Sequence, residues 1–89
     1  VTALQDLRAV AWRREPAHRR WTKEDPHGRT LIVHADGMWI VRGPDVLPDT
    51  RQRIEHASGV EKTIAVSKAR AERWAADNPP TKRQERNAP

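Results

Sequence analysis

Two β-rich runs, Thr30-Leu31-Ile32-Val33-His34 and Met38-Trp39-Ile40-Val41-Arg42, meet around Asp36-Gly37. No other stretch limits the fold so sharply. Asp and Gly tolerate the positive φ that a two-residue type I′ turn requires, so the pair predicts a tight antiparallel hairpin. The turn sets the register: His34 faces Trp39, Val33 faces Ile40 and Ile32 faces Val41. Leu31, Val33, Ala35, Met38 and Ile40 then share one face, expected to be the core. The other face carries Thr30, Ile32, His34, Trp39 and Val41. A lone hairpin is marginal in water, so other elements must cover it.

The clearest cover is a helix. Thr63 is a good N-cap, and Ile64, Ser67, Ala71, Trp74 and Ala75 fall on one helical face before Asn78-Pro79-Pro80 stops the chain. Thr2 and Gln5 have capping-box spacing, which predicts a short N-terminal helix carrying Leu4 and Leu7. Residues 9–24 are ambiguous. Val10, Trp12 and Arg14 alternate as on a strand, whereas Leu4, Leu7 and Ala11 continue a helical stripe. The strand reading runs from about residue 9 to 15, turns at Pro16-Ala17, and pairs Trp12 with Trp21, Arg13 with Arg20 and Arg14 with Arg19. Such pairing stacks like charges, which an anion would relieve. Asp25-Pro26-His27-Gly28 is a strong turn, and Gly43-Pro44 is expected to end the sheet. Residues 49–57 read as a short helix closing at Ser58-Gly59, or as a loop.

The fold class that follows is α+β. A small antiparallel sheet of three or four strands carries the C-terminal helix on one face, with Ile64, Ala71 and Trp74 meeting Leu31, Val33 and Ile40. Residues 1–79 form one domain, and the basic stretch 80–89, with nothing to bury, is expected to be disordered. Among 89 residues there is no Phe, Tyr or Cys. The large core surfaces must therefore come from four tryptophans, and disulfides and thiolate metal sites are excluded. The four histidines lack metal-ligand spacing, and no phosphate-cradling glycine loop or nucleophile elbow is present. No cofactor, metal or catalytic residue is expected, and the chain reads as non-enzymatic. No apolar run approaches the ~20 residues of a membrane span. No signal-peptide pattern is visible, and the chain is expected in the cytoplasm.

Charge supplies the functional lead. The formal net charge is +5, and residues 1–29 hold seven Lys/Arg against four Asp/Glu, while residues 30–79 balance seven against seven. The excess peaks in Trp12-Arg13-Arg14-Glu15-Pro16-Ala17-His18-Arg19-Arg20-Trp21, where four arginines lie between two tryptophans. Guanidinium forks suit phosphates and base edges, and indole faces suit base stacking. The competing use of at least one tryptophan is core packing, with arginines snorkelling around it. His34, Trp39 and Arg42 form a weaker constellation that would extend the same face.

From Asp36-Gly37-Met38-Trp39-Ile40-Val41 through Gly59-Val60-Glu61-Lys62-Thr63-Ile64-Ala65-Val66-Ser67-Lys68-Ala69, the chain resembles small strand–strand–helix DNA-binding domains of the AP2-like and integrase N-terminal type. The likeness covers about half the chain and rests on Gly37, Trp39, Gly59, Thr63 and the small helix residues. It departs from the pattern at Val60-Glu61 and in the Asp- and Pro-containing stretch 44–53. The resemblance implies a sheet surface of Arg and Trp that reads DNA, and the general look is also that of phage and GC-rich bacterial accessory proteins.

The expected function is nucleic-acid binding, DNA ahead of RNA, through Arg13, Arg14, Arg19, Arg20, Trp21, Lys23, Trp39 and Arg42. Lys82, Arg83 and Arg86 would add electrostatic affinity. The alternative is a phage-type regulator or inhibitor whose Arg/Trp patch grips an acidic protein surface. Arg and Trp are enriched at such hot spots too.

Overall fold

The computed structural model describes residues 3–46, 49 and 52–79. Along these residues run α1 (Ala3–Ala9), β1 (Arg13–Glu15), a 3₁₀ turn (Pro16–His18), β2 (Arg20–Glu24), β3 (Thr30–His34), β4 (Met38–Val46), β5 (Arg53–Val60) and α2 (Ile64–Asp77). Each strand pairs antiparallel with the next, giving one open sheet in the order β1-β2-β3-β4-β5. The α+β arrangement with a C-terminal and a short N-terminal helix is as expected. The sheet has five strands rather than three or four. The capping role of Thr2 and the basic stretch 80–89 lie outside the described residues.

Helix α2 starts where Thr63 stays extended and its Oγ1 accepts the Val66 amide at 3.1 Å. Ser67, Ala71 and Ala75 recur at i, i+4 and i+8 and are buried, so small side chains let the helix lie close on the sheet. Leu7, Ala71 and Ala75 join Leu31, Val33, Trp39 and Val41 in one core cluster, which places both helices on the same side. Full burial of Leu31, Val33 and Val41 contributes about 1.5–3 kcal/mol each. The opposite side of the sheet, which neither helix covers, is termed the open face below, and Thr22, Ile32 and Ile40 at its centre are themselves buried, at 4%, 5% and 5% exposure.

The β3–β4 hairpin forms, but one residue out of the expected register. Val33 pairs with Trp39, Ile32 with Ile40 and Leu31 with Val41. Asp36 keeps an ordinary negative φ while Gly37 alone in the turn adopts a positive one, 95°. The loop is therefore the three-residue Ala35-Asp36-Gly37, in which a single left-handed residue suffices. Asp36 Oδ1 accepts the Met38 amide at 3.0 Å, and the Gly37 carbonyl accepts Ser67 Oγ at 2.6 Å and the Glu61 amide at 3.1 Å. Because side chains alternate, the slip turns Trp39 and Val41 toward α2 and Met38 and Ile40 to the open face. Trp39 and Val41, not Ile40, thus join Leu31 and Val33 beneath the helix.

Two further expectations are corrected. The stretch read as a helix or loop at 49–57 is strand from Arg53 onward, and Gly43-Pro44 does not end the sheet, because β4 continues to Val46 past register shifts on both sides of Arg42. At the N-terminal hairpin, α1 runs to Ala9 and only Arg13–Glu15 pairs. The link spans Pro16–Arg19, with Arg19 left-handed at φ 49°, so the register moves by two: Arg13↔Thr22, Arg14↔Trp21, Glu15↔Arg20. Opposite charges meet where like charges were expected. The turn at Asp25–Gly28 is as read, with the Gly28 amide donating to the Asp25 carbonyl at 3.1 Å.

Candidate nucleic-acid interface

The cations of this chain divide into those with structural partners and those without. Lys23, on β2 facing the helices, is 3% exposed. Its ammonium donates to the Leu7 carbonyl at 2.8 Å and the Val10 carbonyl at 3.1 Å, and it ion-pairs with Glu72 of α2. Trp12 Nε1 donates to the same Glu72 oxygen at 3.1 Å. One lysine thus closes the C-terminal end of α1 and ties it to α2. Arg29 serves the other end. Its Nε pairs with Asp25 at 2.6 Å, and its terminal nitrogens donate to the Ala75 and Asn78 carbonyls at 3.0 and 2.6 Å. The guanidinium caps the end of α2, where the last carbonyls lack helical partners.

The tryptophans also turn inward. Trp39 is 8% exposed, and its indole donates to Glu61 at 3.2 Å. Gly59 lies against it, since a Cβ there would sit 2.6 Å from Trp39 Nε1. Trp12, Trp21 and Trp74 pack half-buried against the core. Lys68 of α2 stands over Trp21 and Trp12 at 4.8 and 5.8 Å, and Arg29 over Trp74 at 5.3 Å, within cation–π reach. The Trp–Arg cluster of the sequence is therefore split: Trp12 and Trp21 serve the helix-covered side. Arg14, the partner of Trp21, points to that side on the edge strand yet stays exposed.

On the open face, cross-strand partners align in rows. Arg13, Thr22, Ile32, Ile40 and Ser58 form the middle row, with Glu15, Arg20 and His34 toward one end and Glu24, Thr30, Arg42 and Glu55 toward the other, so that Arg42 has a glutamate as its β5 partner. Three strand spacings separate β1 from β4, so Arg13 and Arg42 stand about 14 Å apart across the strands. Arg20 Nε meets Glu15 at 2.6 Å. This contact, with help from the Thr22 hydroxyl and His18, holds the Glu15 carboxyl below its ordinary value. Arg53, a residue the sequence reading missed, donates to the Gly43 and Gly28 carbonyls and the Thr30 hydroxyl. Among the described residues, Arg13, Arg14, Arg19 and Arg42 of the sheet and its first turn have no carboxylate within ion-pair distance, and neither do Arg8, Lys62 and Lys68 elsewhere.

Arg19 lies in a shallow cleft with His18, His34, Ala35, Asp36 and Met38. The β1–β2 and β3–β4 turns are joined there by the Ala35 amide, which donates to the Arg19 carbonyl at 2.9 Å. Of the expected site residues, Arg13, Arg14, Arg19, Arg20 and Arg42 are thus at the surface, whereas Lys23 and Trp39 are interior and Trp21 leans on the core. His18 was within the sequence cluster but unmarked. Its meeting with His34 depends on a contact between two turns that no local pattern encodes.

Among the described residues, no group of three or more His, Asp or Glu could hold a metal ion, and no helix is long and apolar enough to cross a membrane. Comparison with protein-family models, curated proteins and solved structures gave no match to this chain.

Proposed function

We propose that this chain is a small non-enzymatic nucleic-acid-binding protein of the cytoplasm, DNA ahead of RNA, that grips phosphates with the basic edge of its sheet. The observation that carries the reading is the grouping of three arginines without ion-pair partners at one edge of the sheet. Where a cation is buried, as at Lys23 and Arg29, it is fully partnered. The unpartnered Arg13, Arg14 and Arg19 gather on β1 and the turn after it, with Arg42 across the open face. Arginine forks in that state suit phosphate oxygens. Base stacking is no longer part of the reading, because all four tryptophans pack on the core. Affinity should then be dominated by counterion release.

Titrating the protein into mixed-sequence DNA and RNA at two salt concentrations tests this. Micromolar or tighter binding at low salt that weakens steeply with added salt is the expected outcome; no binding to either polymer at low salt contradicts it. The regulator reading has one specific support. Met38 and Val60 are cross-strand partners and are 38% and 66% exposed, an apolar pair on the open face. Stoichiometric capture of one protein, lost in a Met38→Ser/Val60→Ser variant, together with no nucleic-acid binding, would favour it.

A further inference from the structure

Arg19 occupies a backbone position that suits it poorly. At φ 49° and ψ 52° it is left-handed, a conformation in which a side chain crowds the following carbonyl and which Gly or Asn adopts more readily. The neighbouring backbone fixes it there: the Arg19 amide donates to the Pro16 carbonyl at 3.1 Å and its carbonyl accepts the Ala35 amide at 2.9 Å. Nothing in the local structure calls for a guanidinium. Among the described residues the Arg19 side chain has no hydrogen-bond or ion-pair partner, and the same holds for His34; His18, which lines the cleft with them, makes no hydrogen bond and acts on the nearby Glu15 carboxyl through charge alone. Among the described residues, the one carboxylate lining this cleft is Asp36, whose Oδ1 already accepts the Met38 amide. Nearby, Glu15 is engaged by Arg20. A strained residue with an unused side chain in a cleft points from structure to function.

We infer that the cleft between the β1–β2 and β3–β4 turns is a phosphate subsite, with Arg19 as its principal ligand and His18 and His34 as flanking donors. The inference rests on the nucleic-acid reading for the source of the phosphate, a backbone phosphodiester. The shared chemistry is a phosphoryl group, and inorganic phosphate is its simplest probe. On this account the residue at position 19 is held by the ligand's need, against the preference of the turn.

The test couples stability and binding in the same variants. Arg19→Asn and Arg19→Gly should both raise Tm by a few degrees, Asn the more surely because Gly also loosens the unfolded chain. Both should weaken binding of inorganic phosphate and of a mixed-sequence duplex severalfold. In the wild type, phosphate should shift the amide resonances of residues 18, 19 and 34–36 and compete with the duplex there. Unchanged binding of both probes in the variants overturns the subsite, as does a fall in Tm, which would mean that Arg19 supports the turn. If duplex binding survives both variants and phosphate does not compete, the subsite fails while the nucleic-acid reading stands. If phosphate binds the cleft and no polymer binds at low salt, that reading fails and the subsite serves another phosphoryl ligand.

Discussion

Lys23 is accommodated at 3% exposure because two carbonyls and the Glu72 carboxylate converge on its ammonium. Removing one partner of a buried pair leaves the other uncompensated, at a cost of about 3–5 kcal/mol. Lys23→Met should therefore lower the urea midpoint strongly with little change in m-value, and Lys23→Met/Glu72→Leu should recover part of the loss. An unchanged midpoint would show that the pair is not structural. Glu15 gives a milder effect with a defined sign. Its carboxyl titrates below the ordinary value because of Arg20, so it stabilises the hairpin above the unfolded-state value, and that contribution is lost as pH falls through the lowered folded value. Amide protection factors at residues 13–20, with the intrinsic pH dependence of exchange divided out, should fall at acid pH, and Glu15→Gln should remove that part of the pH dependence. If the variant exchanges as the wild type does across the whole range, the pair has no such role.

Elements were legible where local chemistry and tertiary packing agree. Thr63 and the Ser67–Ala71–Ala75 spacing marked α2, placed at about residues 63–77 and found at Ile64–Asp77, and the two runs flanking Asp36-Gly37 marked β3 and β4. The register was not legible, because Asp-Gly serves a two-residue turn with two positive φ values or a three-residue loop with one. The choice is made by Ser67 and Glu61, both distant in sequence, which bind the Gly37 carbonyl. β5 was missed because its helix-facing positions Ala57 and Gly59 carry almost no apolar mass; the Trp39 indole fills that space instead. Gly37 bears the largest local demand, with φ 95° and a would-be Cβ colliding with the Glu61 carbonyl. Gly37→Ala should cost more than the roughly 1–3 kcal/mol of backbone strain alone, measured by equilibrium unfolding. A smaller loss would mean that the turn relaxes freely.

At the scale of the whole molecule, one shortage shapes the surface. With no Phe or Tyr, the four tryptophans are drawn against a core of Leu, Val and Ala, and the basic groups that interleave them in sequence are sorted by their neighbours. The candidate site was half legible for that reason. The arginine cluster could be located from the sequence, while the inward turn of its tryptophans and of Lys23 depends on α2 lying over β3–β5. The central claim is that Arg13, Arg14, Arg19 and Arg42 act together as phosphate ligands. The most direct measurement is the dependence of log Kobs on log salt concentration for duplex DNA, comparing wild type with Arg13→Ala/Arg14→Ala/Arg19→Ala/Arg42→Ala. Each lost phosphate contact lowers the slope by about 0.9, so a reduction of about 3 to 4 is expected while the fold is retained. A slope unchanged by the four substitutions would contradict the account.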